Sequence, residues 1–224
     1  MLYQSFIISL IIQIIVLLVD FYGLNIEIPK DKLLFRQLLQ MEFGVQMVEM
    51  VFYVWMIYNY TSISNITPKR YYDWIITTPI MLVTLMAYLD SSQYKDIFEF
   101  ISTNKYLLSK VVVANLAMLL FGLLGEHGVI PYNLALYLGF IPFLYYFYLI
   151  YQQYFMEDKF KFKTKDKKRL YLYLFFFVVW SLYGISAFLP YVLKNTAYNI
   201  LDLFSKNVFG VFLVYIISTY RIKK

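Results

Sequence analysis

The chain has 224 residues, 61% of them hydrophobic and 21% aromatic, with a formal charge of +6 and no cysteine. Its mean hydropathy of +0.61 and an apolar share well above the ~45–50% of a soluble domain mark an integral, multi-pass membrane protein. Without cysteine there is no disulfide, thiolate chemistry or cysteine-bound metal. No Gly-rich phosphate loop, catalytic triad or metal-ligand spacing is present either, so neither an enzyme nor a metal site is expected.

A helix crossing ~30 Å of hydrocarbon needs about 20 mostly apolar residues. Seven segments qualify, approximately 2–22, 34–60, 67–89, 106–125, 131–156, 170–190 and 196–220, within a single domain spanning 1–224. The fold class expected is therefore an all-α membrane protein, a bundle of seven transmembrane helices. The chain enters apolar sequence at Leu2 with no basic leader, so no removable signal peptide is expected. Residues 90–100 have the composition of a short interfacial helix before the fourth span, and 190–195 read as a turn before the seventh.

Charge sorts the connections onto two sides. Most Lys and Arg fall in or beside 25–32, 90–105, 157–169 and 221–224, whereas the other side holds only Lys69, Arg70 and Lys194. Such an excess faces the cytoplasm, which puts the N-terminus outside and the C-terminus inside. The dense run 159–169 then reads as a topology anchor beside anionic lipid, not as a nucleic-acid patch. His127, the only histidine, falls in an outer connection and reads as a solvated loop residue.

Polar residues at membrane depth are costly and mark function. The first span carries Ser9 and Gln13, four residues apart. The second carries Glu42, Gln46 and Glu49 on one face, with the two carboxyls roughly 10 Å apart at 1.5 Å per residue. Such acids normally line a hydrated path that favours cations, the bland alternative being protonated groups bonded between helices. The third span sets Arg70, Asp73 and Thr77 on one stripe, where Arg70 and Asp73 could simply satisfy each other. In the seventh, Asp202 and Lys206 share a face. Asn195 and Asn199 precede them, either lining a route outward or capping the helix. A desolvated amine such as Lys206 can condense with an aldehyde, although a structural ion pair would look the same.

These motifs together resemble the microbial (type I) rhodopsins. The third span reads Arg70-Tyr-Tyr-Asp73-Trp74-Ile-Ile-Thr77-Thr78-Pro79, the sixth Trp180-Ser-Leu-Tyr183, and the seventh Asp202-Leu-Phe-Ser-Lys206. The resemblance implies that Lys206 forms a Schiff base with all-trans-retinal and that Asp73 and Asp202 are its counter-ions. Trp74, Thr78, Met81, Met118, Gly122, Trp180 and Tyr183 would form the pocket, with Arg70 and Thr77 in an outer hydrogen-bonded gate. A cationic imine in a low-dielectric site needs such carboxylates to compensate it.

The resemblance also bears on what is moved. Outward proton pumps of the family usually have a second carboxyl eleven residues after the acceptor, and Thr84 stands there. Glu49-Met-Val and Ser205-Lys206-Asn207 are similar to channelrhodopsin sequences, which implies a gate built from Glu49, Asn207 and either Ser9 or Gln13, with Glu42 at the cytoplasmic constriction. Thr78 and Asn115 stand where that branch commonly has Cys and Asp. The short, cysteine-free chain looks most like the giant-virus rhodopsins of the channel-forming branch, which would place it in a host cell membrane. The function expected is a light-gated cation channel, with an outward proton pump or a photosensor as alternatives. The partners are retinal, the lipid bilayer and cations or protons, and the resemblance also allows a homo-oligomer.

Overall fold

With no water to bond peptide groups inside a bilayer, an apolar chain must satisfy them within helices. The computed structural model describes residues 1–158, 161–162 and 167–222. It runs α1 (Leu2–Leu24), α2 (Leu33–Tyr58), α3 (Thr67–Leu89), α4 (Ile97–Glu126), α5 (Tyr132–Phe155) and α6 (Lys167–Ser186). A seventh span follows as α7 (Tyr191–Asp202), a π-helical turn (Leu203–Asn207) and α8 (Val208–Thr219). Six of these seven runs are long and apolar enough to cross a membrane. The exception is α2, whose apolarity is broken mid-helix by Glu42, Gln46 and Glu49. Between α5 and α6 lies a short antiparallel hairpin, β1 (Met156–Asp158) on β2 (Lys161–Phe162). Of the basic run 159–169, residues 159, 160 and 163–166 lie outside the described residues, as do 223 and 224 of the tail.

Burial sorts the helices. In α3 and the seventh span, 61% and 56% of the most apolar stretch is buried, against 28% in α1. The two helices carrying Asp73 and Lys206 are therefore central, whereas α1 turns Ile8, Ile11, Ile15 and Leu18 outward, as lipid-facing residues should be.

Two expected boundaries move. Helix α4 starts at Ile97, not near 106, so residues 97–100 are its first turn and form no separate interfacial helix. Asp96 caps it, its side chain accepting from the backbone N–H groups of Phe98 and Glu99 at 2.9 Å each. The polar stretch Ser102–Lys105 hid this, because a helix can continue past the hydrocarbon. Similarly, 190–195 is not a turn. Pro190 is extended at ψ 150° and ends the connection, and α7 begins at Tyr191. Its polar residues are buried because they have partners: Lys194 Nζ lies 2.8 Å from Glu126 at the end of α4. His127 is exposed beside it.

Candidate functional site

The π-helical turn in the seventh span widens the backbone where Lys206 leaves it, a distortion common at functional sites. Lys206 is 1% exposed. Its Nζ donates to Asp73 Oδ2 at 2.6 Å and lies 3.6 Å from Asp202 and 3.7 Å from Glu49. The two aspartates differ in company. Asp202 accepts from Tyr53 and Tyr183 hydroxyls at 2.7 Å each and from Arg70 Nη1 at 3.3 Å. Asp73 has Lys206 as its hydrogen-bond donor and keeps Oδ1 without a partner. Of the two, Asp73 is thus the carboxyl with fewer competing partners and the shorter contact to the lysine nitrogen.

Arg70 is fully buried, but it does not satisfy Asp73. Its guanidinium donates to Asn195 Oδ1 at 3.0 Å, to the Asn195 carbonyl at 3.1 Å, to Asn199 Oδ1 and to Asp202. The two asparagines therefore do not cap the helix; they hold the arginine. Thr77 donates to the Asp73 backbone carbonyl at 3.0 Å, not to its carboxyl. Including Glu49, three carboxyl groups and two cations share this interior.

Above the lysine opens a cavity of about 820 Å³, counting its mouth. Trp74, Thr78, Met81, Met118, Gly122, Trp180 and Tyr183 all line it, with Lys206 itself. Trp74 stands edge-on to Tyr183 and Tyr198, at 5.6 and 5.3 Å between ring centroids. Thr78 donates to the Trp74 carbonyl at 2.8 Å and accepts from Asn115 at 2.7 Å, strapping α3 to α4. A side chain at Gly122 would strike the Tyr71 hydroxyl, and one at Gly184 the Phe140 ring, so both walls depend on glycine. Sequence reasoning missed the contribution of α5, where Gly139, Phe140 and Phe143 close the far wall. Those residues carry no polar signature that would tell an inward face from a lipid-facing one.

Ser9, Gln13, Glu42, Glu49 and Asn207 are all 2% exposed or less, yet the expected contact among Glu49, Asn207 and Ser9 or Gln13 is not made. Glu49 sits beside Lys206 instead, drawn by the amine's charge. Ser9 donates to the Asn199 carbonyl at 3.2 Å. The polar atoms of Gln13, Glu42 and Asn207 have no hydrogen-bond partner. Missed altogether was Asp20 on α1, which accepts from Gln46 at 2.6 Å; it stands near a helix end, where a charge is ordinarily solvated.

A seven-helix membrane bundle whose buried lysine opens, among carboxyls, onto an aromatic cavity has the room and the lining for a long apolar ligand. The chain belongs to the bacteriorhodopsin-like protein family, whose model it matches over residues 2–220, and is a microbial rhodopsin with retinal as the family's chromophore. It is similar to the crystal structure of viral rhodopsin OLPVRII, with a TM-score of 0.82 and 28% identity over 97% of this chain and 98% of that one. The blue light-absorbing proteorhodopsin from Med12 shares the fold at a TM-score of 0.72 and 22% identity, covering 97% of this chain and 96% of the other. The green-light absorbing proteorhodopsin of Gamma-proteobacterium EBAC31A08 is 24% identical over 157 residues, 65% of this chain. The chain spans 59% of the length of that curated relative. The residues present fit retinal: the lining is apolar and aromatic, the amine is inside, and both oxygens of Glu49 and Oδ1 of Asp73 stand near it without hydrogen-bond partners.

Proposed function

We propose that this rhodopsin is a light-gated cation channel, oriented with its N-terminus outside by the distribution of basic residues, and that Lys206 is the retinal-bearing residue. Retinal bound there supplies a polyene that absorbs visible light and changes shape at a double bond. Asp73 Oδ2 takes the proton from the lysine nitrogen. Asp202, fixed by Arg70, Tyr53 and Tyr183, stands opposite it and holds the outer side closed. Trp74, Thr78, Met81, Met118, Gly122, Trp180 and Tyr183 hold the polyene in one shape and keep water off it.

The observation that carries the channel reading is the row of buried polar side chains without hydrogen-bond partners on α1, α2 and the seventh span: Gln13, Glu42, Glu49 and Asn207. Buried polar groups are nearly always satisfied, so such a row calls for water, and carboxyls along a wet track favour cations. Voltage-clamped cells under light test it. A photocurrent that reverses with the cation gradient is expected, and one that stays outward at every voltage sinks the channel.

The second reading, an outward proton pump, draws on the same 2.6 Å contact between Asp73 and Lys206, which is acceptor geometry in either case. Against it stands Thr84, whose hydroxyl donates to the Ile80 carbonyl at 3.0 Å and has no titratable proton near neutral pH. Glu49→Gln separates the two further. In a channel it reduces conductance or alters selectivity several-fold, because it removes a carboxyl from the track; a photocurrent unchanged in size and reversal potential counts against Glu49 as a pathway residue.

A further inference from the structure

The row of unpartnered groups does not run on to the cytoplasmic surface. It ends at Asp20, near the end of α1. Asp20 is 0% exposed and accepts from Gln46 Nε2 through Oδ2 at 2.6 Å. Its other oxygen, Oδ1, and the amide oxygen of Gln46 have no partner, and neither does Glu42, which lies within electrostatic reach of Asp20. The pair closes directly over Gly210, one turn beyond Lys206 on the seventh span. A Cβ at Gly210 would fall 2.5 Å from Asp20 Oδ2 and would overlap the Gln46 amide nitrogen. Three helices can meet at this point only because that residue is glycine.

Beyond the pair, towards the C-terminal end of the seventh span, the lining turns apolar. Gly23, one turn past Asp20, lets Val214 and Leu39 close over it: a Cβ there would meet Val214 at 2.6 Å and Leu39 at 3.0 Å. Leu38, Leu213 and Ile217 are fully buried around this layer. Polar side chains that end against a tight apolar layer make a barrier that water crosses only when the helices part.

We propose that the Gln46–Asp20 hydrogen bond, closed over Gly210, is the cytoplasmic gate of the track, and that the Asp20 carboxylate binds the cation passing it. The cation role rests on the channel reading. The gate requires only that the track opens to water from the cytoplasmic side. A latch that merely ties α1 to α2 would need the hydrogen bond but not the charge. Asp20→Asn separates these, because its amide oxygen still accepts from Gln46.

Two measurements on the full chain with retinal bound test the proposal. In Asp20→Asn, the cation photocurrent is expected to fall roughly fivefold or more with the absorption maximum unchanged; an unaltered current and reversal potential overturns the cation-binding role. The second uses a chain that has no cysteine of its own. Gln13→Cys, exposed to a membrane-impermeant thiosulfonate from the cytoplasmic side, is expected to label in light and not in darkness. Adding Gly210→Ala, whose methyl group forces Asp20 and Gln46 apart, is expected to permit labelling in darkness as well. Labelling that ignores light, or ignores Gly210→Ala, overturns the gate. If the parent photocurrent never reverses, the channel reading and the cation role fall together, and the labelling still decides the gate.

Discussion

Lys206→Ala is expected to give a protein that stays colourless when all-trans-retinal is added, while the parent develops a visible band. Among the described residues the amine is the one nucleophile on the cavity wall that can condense with an aldehyde, and alanine leaves nothing in its place. The same change removes the cation facing Asp73, Asp202 and Glu49. Breaking a buried pair from one side costs roughly 3–5 kcal/mol, so a colourless sample could also be a poorly folded one. Lys206→Arg removes that ambiguity. It keeps a permanent charge among the three carboxyls but cannot give up a proton to form the linkage. We expect it to be as colourless as the alanine variant while melting closer to the parent. A visible band in either variant would remove Lys206 from its assigned role and with it the account of the site.

How much of this was legible in the sequence follows from what each feature depends on. Six of the seven spans could be read because length and apolarity are local properties, and α2 by its length, its apolarity being broken by Glu42, Gln46 and Glu49. Asp73, Asp202 and Lys206 could be read because charge inside an apolar run is conspicuous, and the helical repeat fixes which residues share a face. The partner each charge takes could not be. Arg70 and Asp73 lie three residues apart on one helix, yet the arginine reaches across to Asp202, because Lys206 occupies Asp73 and two asparagines hold the guanidinium aside. Glu49 was expected against Asn207 and is found against Lys206 for a similar reason: a carboxyl follows the nearest cation, and which cation is nearest depends on how α2 is rotated against the seventh span. The early start of α4 and the helical 191–195 segment escaped hydropathy because polar residues outside the hydrocarbon, or paired within the bundle, look alike in a sequence. Asp20 was hidden differently. Its burial depends on Gly210 and Gln46, which approach it from two other helices.

Arg70→Met should be the most destabilising single change at the outer side of the site. The side chain is 0% exposed and its guanidinium serves Asn195, Asn199 and Asp202 at once. It also lies over the rings of Phe6 and Tyr198, at 5.2 and 5.5 Å from their centroids. Methionine fills much of the volume but leaves three asparagine oxygens, two of Asn195 and one of Asn199, and a carboxylate oxygen short of a donor. Tyr53, Tyr183 and Lys206 still face Asp202, which limits the cost to about 3 kcal/mol, the low end for breaking a buried pair. In a chain of this length that lowers the melting temperature by roughly 6–12 °C, read as loss of the visible band on heating. Arg70→Lys keeps the charge but has a point donor in place of a planar fork, so it should recover only part of the loss. If the arginine acts as the outer barrier as well as a strut, both variants should also admit water to Asp202 and speed proton exchange between Asp73 and the outside. An unchanged melting temperature in Arg70→Met would mean that the asparagines and tyrosines hold Asp202 without it, and the closed outer side would need another explanation.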